Sequence, residues 1–159
     1  MKTRGFEIVK REELQKHFAD FANMQILLPT RKTQNSAGYD FYLTEDISLL
    51  PKEEVIVKTG IKAYMQHDEV LMIVIRSSLG FKHDLRLKNQ VGIIDSDYYS
   101  NITNDGHILV ALKNHSNDRV CLKKNDTFAQ GIFLKYLTVD SEEIPQETRK
   151  GGIGSTNNQ

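Results

Sequence analysis

Residues 67–76 read "HDEVLMIVIR". A polar turn signal opens the stretch, an apolar run rich in branched side chains follows from Val70 to Ile75, and Arg76 ends it. That is the form of a short strand bounded by turns. Working outward, the form repeats. Short apolar or alternating segments occupy 39–43, 55–65, 89–94 ("NQVGII"), 107–112 ("HILVAL"), 119–122 ("RVCL") and 128–139 ("FAQGIFLKYLTV"). Polar or Gly-containing connections such as "LPK" at 50–52 and "NDGH" at 104–107 separate them. The spacing predicts an all-β barrel or sandwich. At the N-terminal end, "KTRGFEIV" (2–9) reads as another short strand, and "REELQKHFADFAN" puts Leu14, Phe18, Phe21 and Ala22 at helical spacing, predicting one helix over about residues 11–22.

The chain of 159 residues is long enough for one domain with a proper core. We expect a single β domain over 1–139. After Asp140, "SEEIPQETRKGGIGSTNNQ" has little to bury and is rich in Gly, Ser, Thr and Asn, so 140–159 reads as a flexible C-terminal arm. With 21 basic residues set against 21 acidic ones, nothing favours general nucleic-acid or membrane binding. A lone cysteine, Cys121, excludes an intramolecular disulfide framework and reads as a small core residue; the expected location is the cytoplasm. The five histidines show no metal-ligand spacing and read as structural or solvated.

Four features carry chemistry. In "SAGYD" (36–40) a turn delivers Asp40 to the start of a strand. "IRSSLG" (75–80) sets an arginine and two hydroxyls after an apolar strand, a combination suited to a phosphate and equally to a solvated strand end. In "GIIDSDYYSN" (92–101), period-two alternation puts Asp95 on the face of Val91 and Ile93, with Asp97 further along. A carboxylate partly desolvated there can take a proton from water, whereas the bland reading is a hairpin turn. Finally, "RKGGIGSTN" (149–157) combines glycines that permit close backbone approach with the donors Arg149, Ser155 and Thr156.

In order, "AGYD", "RSSLG", "GIIDSDYY", "AQGIF" and "RKGGIGSTN" resemble the five motifs of the trimeric dUTPase family, from about residue 26 to residue 157. The resemblance implies a distorted jelly-roll (β-clip) subunit, a homotrimer with shared active sites, and hydrolysis of dUTP to dUMP and pyrophosphate. It makes Asp95 the general base for the attacking water. Asp40 would hold, through water, the Mg²⁺ that the triphosphate chelates. Arg76 and Ser77, with Ser78 and Gly80 of the same motif, would grip the phosphates, assisted by Gln130. Asn89 and the hairpin after Gly92, Ile94 included, would read uracil, and Tyr98 would pack on deoxyribose. The arm, with Arg149, Gly152, Ile153, Ser155 and Thr156, would close over the nucleotide.

Two departures stand out. Only Lys150 separates Arg149 from the glycine pair, so strict alignment puts Thr148 in the arginine's place. Ile153 stands where the family commonly has an aromatic ring, which predicts a looser lid. The excursion "YYSNITNDGHI" looks longer than in compact family members and could serve as a surface for a regulatory protein partner. Two other readings share parts of the pattern: a dCTP deaminase, and a dUTPase-like binding protein switched by the nucleotide.

Overall fold

In the computed structural model, which describes residues 1–147 and 149–153, the turn-bounded run from Val70 becomes the strand that organises the molecule. Strand β6 (Glu69–Ile75) alternates inward and outward as its pleat requires, and Leu71 and Ile73 are fully buried. It pairs antiparallel with β11 (Thr127–Lys135) on one side and β8 (Gly92–Asp95) on the other, while β11 continues to β2 (Tyr39–Tyr42). A second sheet sets β9 (Leu109–Asn114) between β4 (Glu54–Lys58) and β7 (Leu85–Leu87). Two strand pairs complete the structure: β1 (Gly5–Ile8) with β5 (Ile61–Tyr64), and β3 (Ile47–Leu49) with β10 (Val120–Leu122). All pairings are antiparallel, as expected for a jelly-roll-like subunit. Phe41, Leu71, Leu85, Ile108, Leu112 and Phe128 meet between the sheets as one core. Each such side chain contributes roughly 1.5–3 kcal/mol by leaving water. Among the described residues no helix is long and apolar enough to cross a membrane.

Several expectations need correction. The helix α1 spans only Arg11–His17, because Phe18 turns to extended backbone and Asp20 starts a turn that Asn23 closes through both its backbone and its side chain. Its buried positions are Glu13 and Leu14. A second helix, α2 (Ser77–His83), follows β6 directly, with Asp84 ending it in the left-handed region. Seven residues with one buried apolar side chain, Leu79, give no readable period. The segment 55–65 is two strands, broken where Gly60 takes φ +71° and the Ile26 side chain closes over it. Cys121 faces outward on β10 between buried Val120 and Leu122, so it is exposed and not a core residue.

The buried carboxylate of α1 explains why this helix is retained. Glu13 Oε1 accepts from His17 Nε2 at 2.9 Å and from His107 Nδ1 at 3.1 Å, and Oε2 accepts from Lys16 at 2.8 Å. The tautomer of His107 follows from its other nitrogen: Nε2 accepts from the Gly60 N–H at 2.9 Å, so the proton sits on Nδ1. Glu13, His17 and His107 bring ligand-type atoms within 4.8 Å of one another. A metal on His107 Nδ1 would drive its proton onto Nε2, against the Gly60 N–H, so the cluster is a hydrogen-bonded clasp and not a metal site.

Burial pushes the Glu13 carboxyl up, but the bonds from Lys16, His107 and His17 outweigh it and hold it below the ordinary value of 4.5. Burial pushes His107 below its ordinary 6.5, partly opposed by its bond to Glu13. Both groups bind protons more weakly folded than unfolded, so stability falls with pH, from about 6.5 downward for His107 and from about 4.5 downward for Glu13. We expect the urea midpoint to drop between about pH 7.5 and about pH 5.5, and the drop to shrink in His107→Gln, whose amide oxygen can still accept from Gly60. A pH response identical in the variant would exclude His107 as its source.

Candidate active site

The residues singled out in the sequence gather in two clefts. The first, of about 360 Å³, is lined by Asn89, Gly92, Ile94, Asp95, Tyr98, Arg149, Gly152 and Ile153, over a floor of Ile73, Leu87 and Val110. Its walls come from β8 and the arm. After Asp95 the strand becomes a 3₁₀ turn at Ser96–Tyr98, which carries Tyr98 inward. The buried Tyr98 Oη donates to the His107 carbonyl at 2.7 Å and accepts from Asn104 Nδ2 at 2.7 Å. Burial accordingly raises this phenol above its ordinary value.

Asp95 is partly, not fully, withdrawn from water, in line with the alternation. Strand β8 is an edge strand whose Asp95 face is uncovered, leaving Ile93 56% exposed and the Asp95 side chain 43% exposed. Its partner is Arg149, whose Nη2 donates to Asp95 Oδ2 at 2.5 Å. The Arg149 backbone N–H donates to Asp97 Oδ2 at 3.3 Å, while its Nε stays 3.5 Å from Asp97 Oδ1, beyond good hydrogen-bond geometry. Despite the short spacing to the glycine pair, Arg149 therefore reaches the acid pair. Thr148, Ser155 and Thr156 lie outside the described residues.

The second cleft, of about 380 Å³, is lined by Lys32, Ser36, Gly38, Asp40, Arg76, Ser77, Ser78 and Gln130. The pairing of Gln130 with both Asp40 and Val74 draws β2, β11 and β6 together here. Asp40, buried, lies 3.4 Å from Arg76 Nε, and Arg76 also donates to Thr127 Oγ1. A Cβ on Gly38 would stand 3.1 Å from Gln130 Cβ and would displace the Gln130 amide oxygen from its place in the cleft. Lysine, arginine and three serine hydroxyls around one carboxylate favour a polyanion. The single carboxylate cannot cage a divalent cation alone; it fits one carried by an anionic ligand and reached through water. Gly80 lines neither cleft and faces Ile75.

Sequence reasoning passed over Asn104, which was read only as part of a connection, and Lys32, which has no motif around it. Nor could it show that Asp95 and Arg76 stand at opposite ends of one strand. Asp95 pairs with Val70 at one end of β6 and Arg76 follows the other end, six residues on, or about 20 Å.

Comparison with known proteins matches these features. The dUTPase family model covers residues 24–157. A deoxyuridine 5'-triphosphate nucleotidohydrolase of Lactococcus lactis subsp. lactis is 41% identical over 157 residues, spanning 98% of this chain and 99% of the relative. Among solved structures, the dUTPase from Streptococcus mutans superposes with a TM-score of 0.70 at 38% identity, covering 86% of this chain and 99% of that one. A dUTPase from phage phi11 of S. aureus, described with a structural Mg(II) ion, shares the fold at 16% identity with a TM-score of 0.66, covering 91% of this chain and 98% of that one. The chain belongs to the dUTPase family.

Proposed function

We propose that the protein hydrolyses dUTP to dUMP and pyrophosphate, with Asp95 as the base that deprotonates the water attacking the α-phosphorus. The carrying observation is the pairing of an apolar, amide-lined cleft that holds Tyr98 and Asp95 with a cationic, hydroxyl-lined cleft centred on Arg76. Asn89 and the backbone after Gly92 are placed to read the uracil edge, Ile94 lines the base slot, and Tyr98 lies against deoxyribose. Because Tyr98 Oη is engaged by Asn104 and His107, the ring cannot swing aside for a 2′-hydroxyl. Arg76, Ser77, Ser78 and Gln130 hold the phosphate chain and neutralise its charge, so much of the acceleration comes from positioning and electrostatics.

Mg²⁺, arriving with the triphosphate and held by Asp40 through water, would polarise the phosphate oxygens. Within one chain Asp95 and Arg76 stand at opposite ends of β6, about 20 Å of strand apart. A site completed by the second cleft of a neighbouring copy is in keeping with a homotrimer with shared sites. The arm, including Arg149, Gly152 and Ile153, closes over the nucleotide, and Arg149 leaves Asp95 for phosphate as it does so. The same reading puts the protein in the cytoplasm with the nucleotides it acts on.

Product analysis tests the proposal. Purified protein is incubated with Mg²⁺ and, separately, dUTP, dCTP, dTTP or UTP. Release of dUMP and pyrophosphate from dUTP alone is expected. Ammonia from dCTP would identify a deaminase, and binding without product would leave a nucleotide-switched regulator.

A further inference from the structure

Tyr98 is held from outside its own segment. Its hydroxyl donates to the His107 carbonyl at 2.7 Å, so the place of that carbonyl sets the tilt of the ring. His107 is pinned in turn: its N–H donates to the Asn104 carbonyl at 2.9 Å, its Nε2 accepts from the Gly60 N–H at 2.9 Å, and its Nδ1 donates to Glu13 Oε1 at 3.1 Å. The imidazole is fully buried, so no water replaces a lost partner. Asn104 belongs to the same loop and Gly60 to the turn between β4 and β5, whereas Glu13 comes from α1.

Two further bonds join that helix to the loop. The Lys10 N–H at its N-cap donates to Asp105 Oδ2 at 2.7 Å, and Lys16 donates to the Thr103 carbonyl at 3.2 Å. Gly106, with φ +81°, folds the loop so closely against Tyr98 that a Cβ there would stand 2.8 Å from the tyrosine carbonyl. Glu13 itself is 4% exposed and lines neither cleft. Burying a carboxylate is unfavourable unless bonds replace the lost water, and a helix that only shields apolar surface has no use for one. The three bonds on Glu13 supply that replacement, and one of them fixes His107.

We propose that Glu13 is a specificity-determining residue that acts through His107: it fixes the carbonyl that fixes the Tyr98 hydroxyl, and so sets how strictly the base cleft excludes ribose. The role in selectivity depends on the reading of Tyr98 as the wall against deoxyribose; the brace itself does not. Glu13 is a positioning residue. Exclusion by a wall is only as strict as the wall is stiff, because a ring free to tilt makes room for a 2′-hydroxyl. Helix α1, which lies ahead of the residues matched by the family model, thereby takes part in choosing the sugar.

The decisive readout is kcat/KM for dUTP divided by kcat/KM for UTP, measured on the full-length protein. Glu13→Leu leaves the His107 Nδ1 proton without an acceptor, and the ratio is expected to fall about ten-fold. Glu13→Gln keeps an oxygen for His107, and the exposed Lys16 can turn away from the new amide, so the ratio should stay within about two-fold of wild type. Glu13→Asp, whose carboxylate stops one methylene short of His107, should lie between the two and serves where the leucine variant does not fold. A merely structural loss would lower turnover of both nucleotides together and leave the ratio alone.

Hydrogen exchange supplies a second measurement that needs no turnover. The amides of residues 98–107 are expected to exchange faster in Glu13→Leu or Glu13→Asp than in wild type, and to keep their protection in Glu13→Gln. A selectivity ratio unchanged in the leucine and aspartate variants overturns the proposal. So does a ratio in Glu13→Gln as low as in Glu13→Leu, which would place the effect in the charge and not in the bond to His107. Unaltered exchange overturns the brace whatever the protein hydrolyses. Faster exchange in the variants of a protein whose wild type turns over neither nucleotide would instead reject the dUTPase reading and leave the brace standing.

Discussion

Asp95→Asn is expected to reduce dUTP turnover by about a thousand-fold while leaving nucleotide binding and folding intact. General-base catalysis is typically worth about a hundred- to ten-thousand-fold, and asparagine keeps the shape of the side chain while losing its proton affinity. Stability should hold because the Asp95 side chain is 43% exposed, and substitutions of exposed groups usually move stability by less than about 0.5 kcal/mol. The ion pair to Arg149 weakens to a neutral hydrogen bond, so the arm is freed from its competing partner and affinity for a non-hydrolysable dUTP analogue should be unchanged or slightly better. Single-turnover pyrophosphate release and calorimetric titration measure the two halves of this expectation. If more than a tenth of the activity persists, another base is at work, with neighbouring Asp97 the first to examine.

Arg76→Ala should remove two things at once. Loss of a cation from the phosphate cleft is expected to lower kcat/KM by a hundred-fold or more, on the scale of removing one preorganised donor to developing charge. The same change leaves Asp40, 6% exposed, without its countercharge. Stripping one partner from a fully buried pair costs about 3–5 kcal/mol. Arg76 is itself 32% exposed on its side chain, so water already screens the pair and the cost should fall well below that range, at about 1–2 kcal/mol. A double variant adding Asp40→Asn separates the effects: it should recover most of the lost stability, read from urea unfolding, and none of the activity. Recovery of turnover in the double variant would mean that Arg76 serves only to neutralise Asp40.

Much of the fold was legible because burial alternates along strands long enough to show it. Strands β6, β9 and β11 fall within two residues of the runs that predicted them, apart from the far end of β11. That strand stops at Lys135, while the apolar pattern runs on through Leu137 and Val139, both exposed in the single chain. The strands β3 and β7 went unread although β10, equally short, was visible in "RVCL"; three residues display two inward side chains at most, which leaves only a weak signal. The helix α1 was overestimated for a related reason: Phe18 and Phe21 keep helical spacing, but Asp20 and Asn23 supply a stronger local turn.

Within the site, Asp40, Arg76 and Asp95 offered chemistry within their own segments, whereas Tyr98, Asn89 and Gln130 were singled out through the family resemblance. Asn104 could be found by neither route, since an asparagine beside Asp105-Gly106 is an ordinary turn residue until the fold brings its amide to Tyr98. The placing of Asp95 and Arg76 at opposite ends of β6 was hidden for another reason. It depends on the register of β8 against β6, which pairs Val70 with Asp95 and is a long-range choice absent from either segment alone.

The family match begins at residue 24, yet β1 and α1 lie before it. Strand β1 is the sheet partner of β5, and Glu13 receives the Nδ1 proton of the fully buried His107. A version trimmed to the shared family boundary would lose that pairing and leave an imidazole N–H facing a void beneath the loop that holds Tyr98. The folded unit thus extends beyond the boundary that defines the family, and the loop that holds Tyr98 rests partly on residues that precede it.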